Sequence, residues 1–191
     1  MADSRAPTRD RSPFLVLMSG LPGSGKTTLG RQLAQVLGIG FVDKDAYLET
    51  LFEQTLPGSL YQRNALSRRS DALFVRDALT HSSAVLVSHW RPPGADTESG
   101  TPVCVFQEAG KPLVEVCCQC PVDTAAERFA RRVRHPGHCD HLRNPEDVLR
   151  WMKAYQSGLP LGLGKVLYAD TQSRPSSGTL ARQIQATVTR G

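Results

Sequence analysis

The chain reads as an α/β domain of three layers, with helices on both faces of a five-stranded parallel sheet. Short apolar runs recur along it, and most are followed by a stretch whose apolar residues repeat at helical spacing. The first run passes through a glycine-rich turn into its helix. Strands that alternate with helices build parallel sheets, because parallel neighbours need a crossover that packs on the sheet face. At 191 residues the chain is long enough to bury one core. Its 40% hydrophobic and 21% charged residues are ordinary for a globular protein.

Residues 1–12 mix both charge signs without an apolar centre and are expected to be a flexible tail, leaving 13–191 as one domain. PFLVLMSG (13–20), bounded by proline and glycine, predicts a buried strand. Thr27 to Leu37 predicts a helix stopped by Gly38, and IGFVD (39–43) a second strand. Helices follow from Asp45 to Phe52 and from Leu60 to Leu79, separated by the breaker LPGS. SAVLVSHW (83–90) is the third strand, 91–102 a loop, and Val103 to Ala109 fits neither pattern cleanly. PLVEVCCQC (112–120) is the fourth strand, leading through Pro121 and Asp123 into a helix from Val122 to Val133. An irregular basic, histidine-rich segment precedes a helix from Glu146 to about Gln156. KVLYAD (165–170) is the fifth strand, and the last helix starts with Ser176 or Ser177 as its cap.

The turn after the first strand reads GLPGSGKTTL, in which Gly20, Gly25, Lys26 and Thr27 satisfy G-x-x-x-x-G-K-[ST]. Glycine conformations let Gly20, Leu21, Pro22, Gly23, Ser24 and Gly25 wrap a phosphate in backbone N–H groups, with Thr28 continuing into the helix. Lys26 then reaches the β- and γ-phosphates, and the Thr27 hydroxyl binds magnesium. The third strand ends LVSHWR without an acid, and no N-K-x-D stretch selects guanine. Devices for hydrolysis are therefore missing, which favours transfer to a substrate.

FVDKDAY brings Asp43 and Asp45 to the exit of the second strand, the carboxyl edge where parallel sheets bind ligands. One carboxylate can serve the magnesium shell while the other takes a proton from an attacking hydroxyl. Either can instead cap the next helix, and Asp45 is expected to combine capping with catalysis. Five arginines (128, 131, 132, 134 and 143) face one acid, Asp140, within a net charge of +5. They read as a nucleic-acid footprint, a phosphate wall or a solvated helix face. Arg128 and Arg132, four residues apart, are expected on one helix face at the edge of an arginine-bearing lid over about 132–145. There both are expected to act catalytically by bringing positive charge to the transferring phosphoryl group, with Arg128 also binding the nucleotide. His135 and His138 either touch phosphate or substrate or order that lid. Cys117, Cys118 and Cys120 with the nearby histidines raise zinc as a lesser option, although VEVCCQCP also reads as a buried strand.

These motifs resemble the P-loop small-molecule kinases, a group often termed AAA family ATPases. Its relatives include gluconate and shikimate kinases, polynucleotide kinase and chloramphenicol phosphotransferase. The likeness runs over roughly residues 14 to 188, and the phosphate loop is its most specific part. It implies the P-loop NTPase fold, nucleoside-monophosphate-kinase-like and lidded. D-K-D at 43–45 resembles the D-x-D of shikimate kinase, which implies Asp43 as a metal ligand beside Thr27 and Asp45 as the residue at the acceptor hydroxyl. Asp45 also matches the base of polynucleotide kinase by position. The arginine segment resembles the lid, and YADT at 168–171 implies that Asp170 and Thr171 pass near the nucleotide base. The acceptor is then expected among Asp45, Tyr47 and the helices to residue 75, with His89 and Arg91 opposite. Ser88-His89-Trp90-Arg91 matches no substrate signature of the group.

The expected activity is transfer of the γ-phosphoryl group of ATP or GTP, with Mg2+, to a hydroxyl of a small molecule such as a sugar-like metabolite or an antibiotic. A polynucleotide or tRNA kinase is the alternative enzyme, disfavoured because few aromatic residues accompany the basic ones. A nucleotide-binding switch without transfer is the non-enzymatic alternative. No apolar run approaches the roughly 20 residues that span a bilayer, and a cytoplasmic location is expected. The oligomeric state stays open.

Overall fold

The computed structural model describes residues 12–92, 94 and 99–189. The chain runs through β1 (Leu15–Gly20), α1 (Lys26–Leu37), β2 (Gly40–Asp43), α2 (Lys44–Gln54), α3 (Leu60–Thr80) and β3 (Ala84–Val87). It continues through β4 (Trp90–Arg91), β5 (Thr101–Pro102), α4 (Cys104–Glu108), β6 (Leu113–Gln119), α5 (Val122–Arg131), α6 (Pro145–Gln156), β7 (Lys165–Asp170) and α7 (Ser177–Val188). Five strands form one parallel sheet in the order β2-β3-β1-β6-β7, as the alternation of runs predicts. The expected tail lies, but for residue 12, outside the described residues.

Strand β1 is central and wholly buried, so its side chains divide by parity between two cores. Val16 and Met18 pack with Leu29, Leu33 and Leu37 of α1 and with Leu180, Ala181 and Ile184 of α7. Leu15 and Leu17 pack on the other face with Phe74 and Ala78 of α3 and with Trp90, Phe106, Leu161 and Leu163. A third cluster of Leu21, Cys120, Ala125, Met152 and Tyr155 joins α5 and α6 to the sheet's carboxyl edge. Cys117, Cys118 and Cys120 are buried there, as the strand reading of VEVCCQCP implies.

Several boundaries differ from expectation for identifiable reasons. The predicted third strand ends early, at Val87. Strand β4, which overlaps the start of the predicted loop 91–102, pairs in parallel with β5 at its end as a second small sheet. Trp90 anchors that pair by burying its ring and donating from Nε1 to the Met18 carbonyl at 2.7 Å, an interaction across 72 residues that no local pattern encodes. Residues 93 and 95–98 of the loop lie outside the described ones. The ambiguous stretch at 103–109 is the short helix α4, held by buried Phe106. Helix α5 stops at Arg131, two residues early, and Arg132 is extended at ψ 137°. Two 3-10 turns, Pro136–His138 and Asp140–Leu142, order the irregular segment. Ser176 caps α7 by accepting from the Thr179 N–H.

Glu115 is a buried acid inside β6, opposite Leu17. Its Oε1 accepts from Leu161 N at 2.8 Å and its Oε2 from Leu163 N at 3.2 Å, and the Ser19 hydroxyl also donates to it. The carboxylate therefore fastens the 161–163 segment beneath the sheet. Glu115→Ala strands two buried N–H groups, each worth about 1–3 kcal/mol. Urea denaturation should show stability lowered by about 3 kcal/mol or more.

Candidate active site

The phosphate loop forms because β1 must reverse into α1 within five residues. Gly20, Gly23 and Gly25 take φ of +135°, +82° and +88°, values that L side chains rarely adopt. A Cβ on Gly23 would lie 2.3 Å from the Ala125 carbonyl oxygen, so α5 packs directly on the loop. Gly25 is the N-cap of α1 and no side chain caps that helix, which leaves its first N–H groups for an anion. Lys26 Nζ donates to the Gly20 and Leu21 carbonyls, both at 2.9 Å. Burial pulls its pKa down to about 8, against the raising influence of Cys118, Asp45 and Asp43. The Leu21 side chain belongs to the third core cluster, and the Ser24 side chain is buried beside it on the loop.

Asp43 ends β2 and is the N-cap of α2, its Oδ1 accepting from Asp45 N at 3.2 Å. Capping was expected of Asp45, which sits instead within the first turn; the extended backbone of Asp43 is what frees its carboxylate to fold back. The Thr27 hydroxyl also hydrogen-bonds Asp43. Burial, then the charge of Asp45, pushes the Asp43 carboxyl up to about 6. Thr27, Asp43, Asp45, Tyr47, Arg132 and Arg134 line one cavity of about 450 Å3 beside the loop. Hard oxygen donors from Thr27 and Asp43, already hydrogen-bonded to each other, fit magnesium held jointly with phosphates. Among the described residues no group of three or more His, Cys, Asp or Glu side chains is arranged as an all-protein metal cage.

The lid arginines part company. Because α5 ends at Arg131, Arg132 leaves the helix face that Arg128 occupies. Arg132 turns into the cavity with its guanidinium 4.3 Å from the Phe129 ring centroid, and burial brings its pKa down to about 10. Arg128 stays outside, donating to the Thr171 carbonyl at 3.4 Å. Arg134 was not singled out by the sequence. It bridges Asp140 through Nε at 2.6 Å and Nη2 at 2.8 Å, and its Nη1 lies 3.5 Å from Asp45. The R-x-R spacing after the helix was the available signal, but which arginine turns inward depends on where the helix ends.

Both lid histidines are ordering residues in this geometry. His135 stacks on Phe52 at 5.5 Å and accepts from Gly137 N, while His138 is buried edge-on to Phe52 with Nε2 3.0 Å from Glu49 Oε1. Neither lines the cavity described above. His89 packs on Tyr155 at 4.5 Å and Trp151 at 5.2 Å, within electrostatic reach of Lys26 and Asp45. Burial, then the charges of Lys26, Lys44 and Arg63, pulls its pKa down to about 3, so it is neutral. Arg91 donates to the Gly100 carbonyl and lines a separate cavity with Arg68, Asp71 and Pro102. Of the expected wall, His89 lies within electrostatic reach of Asp45 and Lys26, whereas Arg91, in β4, lines the second cavity. Tyr47 lines the Asp45 cavity while donating to Asp77 at 2.6 Å. Thr171 adjoins the loop, its Cβ 3.8 Å from where a Gly25 Cβ would be. Asp170 closes its own turn through Gln172 N and Ser173 Oγ.

A parallel sheet whose first strand feeds a glycine loop, with acids at the next strand's exit, defines a phosphate-binding α/β protein. Residues 15–159 match the family model of the AAA domain, and the chain belongs to that family. A shikimate kinase of Mycobacterium avium is 42% identical over 76 residues, 39% of this chain and 43% of that protein. One of Clostridium beijerinckii is 32% identical over 73 residues, 38% and 43% respectively. The chain thus spans less than half the length of these curated relatives. A candidate kinase from Chloroflexus aurantiacus shares its structure at TM-score 0.74 and 25% identity, over 93% of this chain and 99% of that one. A shikimate kinase from Acinetobacter baumannii in complex with shikimate shares the fold at TM-score 0.60 and 22% identity, over 93% of each chain. The resemblance to P-loop small-molecule kinases is the one these comparisons return.

Phe52 is the post on which the lid rests, since Gly137 leaves no room for a Cβ against its ring. Phe52→Ala should cost about 3–5 kcal/mol. Limited trypsin digestion is expected to cut first at Arg132, Arg134 or Arg143, ahead of global unfolding.

Proposed function

We propose that this protein transfers the γ-phosphoryl group of a nucleoside triphosphate, ATP or GTP, to a hydroxyl of a small molecule. The observation that carries this reading is the convergence of Thr27, Asp43, Asp45 and Arg132 on one cavity next to the phosphate loop. The shikimate kinases among the relatives support it, since their names describe phosphoryl transfer to a small molecule.

Each role follows from position and charge. The loop N–H groups and Lys26 bind the β- and γ-phosphates, whose charge favours the protonated lysine that burial alone disfavours. Thr27 and Asp43 would hold magnesium, which would supply charge neutralisation at the phosphates. Asp45, in the first turn of α2 and half exposed, orients the acceptor hydroxyl and takes its proton. Arg134 balances that carboxylate from the lid. Arg132 stabilises charge on the phosphoryl group in transfer, while Arg128, with Thr171 and Asp170, works on the nucleoside side. The acceptor is a small hydroxyl compound, sugar-like or an antibiotic, bounded by Asp45 and Tyr47.

The first measurement is a metabolite and antibiotic panel with ATP and GTP, read by mass for the gain of one phosphoryl group. Triphosphate hydrolysis without any acceptor gain would instead favour a switch module. Lys26→Ala should abolish transfer and weaken triphosphate binding in a folded protein. Asp45→Asn should slow single-turnover transfer by about 10² to 10⁴, with little change in the calorimetric affinity for magnesium and a non-hydrolysable triphosphate. Asp43→Asn should weaken that magnesium-dependent binding as well. Transfer by Asp45→Asn within a few-fold of the parent would move the base elsewhere. Arg132→Ala should lower kcat, whereas Arg128→Ala should chiefly raise the nucleotide KM, because the two side chains occupy different sides of the lid.

A further inference from the structure

Lys44 stands between the two acids, yet its side chain goes the other way. It occupies the first position of α2, where the helix dipole disfavours a cation. Its ammonium is nonetheless buried, 2.7 Å from Asp71 Oδ1 and donating to Ser67 Oγ at 3.0 Å. Asp71, on α3, also accepts from the Thr101 hydroxyl of β5, and Thr101 shares a hydrogen bond with Ser88 at the exit of β3. The one hydroxyl proton of Thr101 is spent on Asp71, so Ser88 is the donor to Thr101. Thr101 N then donates to the His89 carbonyl at 2.8 Å. Lys44, Ser88 and Thr101 are 5%, 5% and 0% exposed, so this is an interior chain of hydrogen bonds from the acids to the β3 exit.

Packing alone does not account for that chain. A buried ion pair is often no more stabilising than an apolar pair of the same volume, because desolvation offsets the attraction. What a Lys44–Asp71 pair adds over two apolar residues is direction. Asp43, the extended last residue of β2, points opposite to its neighbour as strand residues do, and Asp45 lies about 100° further round the first turn of α2. Pinning Lys44 inward therefore turns both acids away from it, onto the cavity that they line. We infer that Lys44, Asp71 and Thr101 are positioning residues, which set the rotational phase of the first turn of α2 and tie the two acids to the exit of β3. The activity part of this inference rests on the phosphotransferase reading; the geometric part stands without it.

The test uses the full chain with Lys44→Met, Asp71→Asn, the double variant and Lys44→Arg. Each neutralising single change strands one buried charge and should melt well below the parent. The double variant, neutral and still able to accept from Thr101, should regain most of the melting temperature. In that double variant, hydrogen exchange of the Asp45 amide, which donates to Asp43, should accelerate ten-fold or more, while the Leu51 amide in the interior of α2 stays as protected as in the parent. Turnover per folded molecule should stay at least ten-fold below the parent with nucleotide KM unchanged, and Lys44→Arg should keep most of it. Unchanged Asp45 exchange in the double variant overturns the inference whatever the protein's activity. Faster exchange with parental turnover removes its catalytic meaning. A parent that transfers no phosphoryl group defeats the phosphotransferase reading and leaves the exchange result to decide the geometry.

Discussion

Three glycines between β1 and α1 impose the constraint on which the remaining structure depends. With φ positive at Gly20, Gly23 and Gly25, the chain doubles back in five residues, and at Gly20 and Gly23 neighbours occupy the space that side chains would need. Cys118 of β6 closes on Gly20 and Ala125 of α5 on Gly23, while Thr171 after β7 lies in ordinary contact with Gly25. The loop is thereby clamped by the two strands and the helix on its carboxyl side. A fixed loop costs little further ordering when an anion arrives. It also sets the height of α5, and through α5 the point from which the lid arginines depart.

Electrostatics at the site are held away from equilibrium with water. Burial pulls Lys26 and Arg132 down and pushes Asp43 up, each toward its neutral form. Nearby opposite charges only partly offset this. A phosphate-bearing ligand with magnesium supplies counter-charge to all three at once. Stability and function therefore pull in different directions here, whereas Glu115, buried on the same sheet but hydrogen-bonded through both oxygens, serves the fold alone.

The site was legible where chemistry is encoded in consecutive residues. GLPGSGKTTL and D-K-D each carry their spacing within one turn of chain, so the loop and both acids could be located before any contact was known. Arg132 and Arg128 were both visible, but not that they separate, because that depends on α5 ending at Arg131 and on Arg132 being extended. Arg134 needed the fold of the 132–145 segment, which depends on Phe52 from another helix. For His135 and His138 the sequence left ligand and lid-ordering roles open, and both pack on that same ring. Lys44 carried no signal at all, since an exposed partner and a buried one look alike in sequence.

By itself the sequence determined the alternation of strand and helix, the parallel sheet, the phosphate loop and the edge at which Asp43 and Asp45 emerge. These follow from hydrophobic period and glycine conformation, which are properties of short segments. Tertiary structure alone decided the second sheet of β4 and β5, the inward turn of Arg132 and Arg134, and the placing of Arg91 on a second cavity. It also decided the interior path from Lys44 to Ser88. Those features draw on contacts between residues far apart in the chain, such as Trp90 to Met18, Arg134 to Asp45 and Lys44 to Asp71. The free energy of such contacts comes from burial that only the assembled core creates.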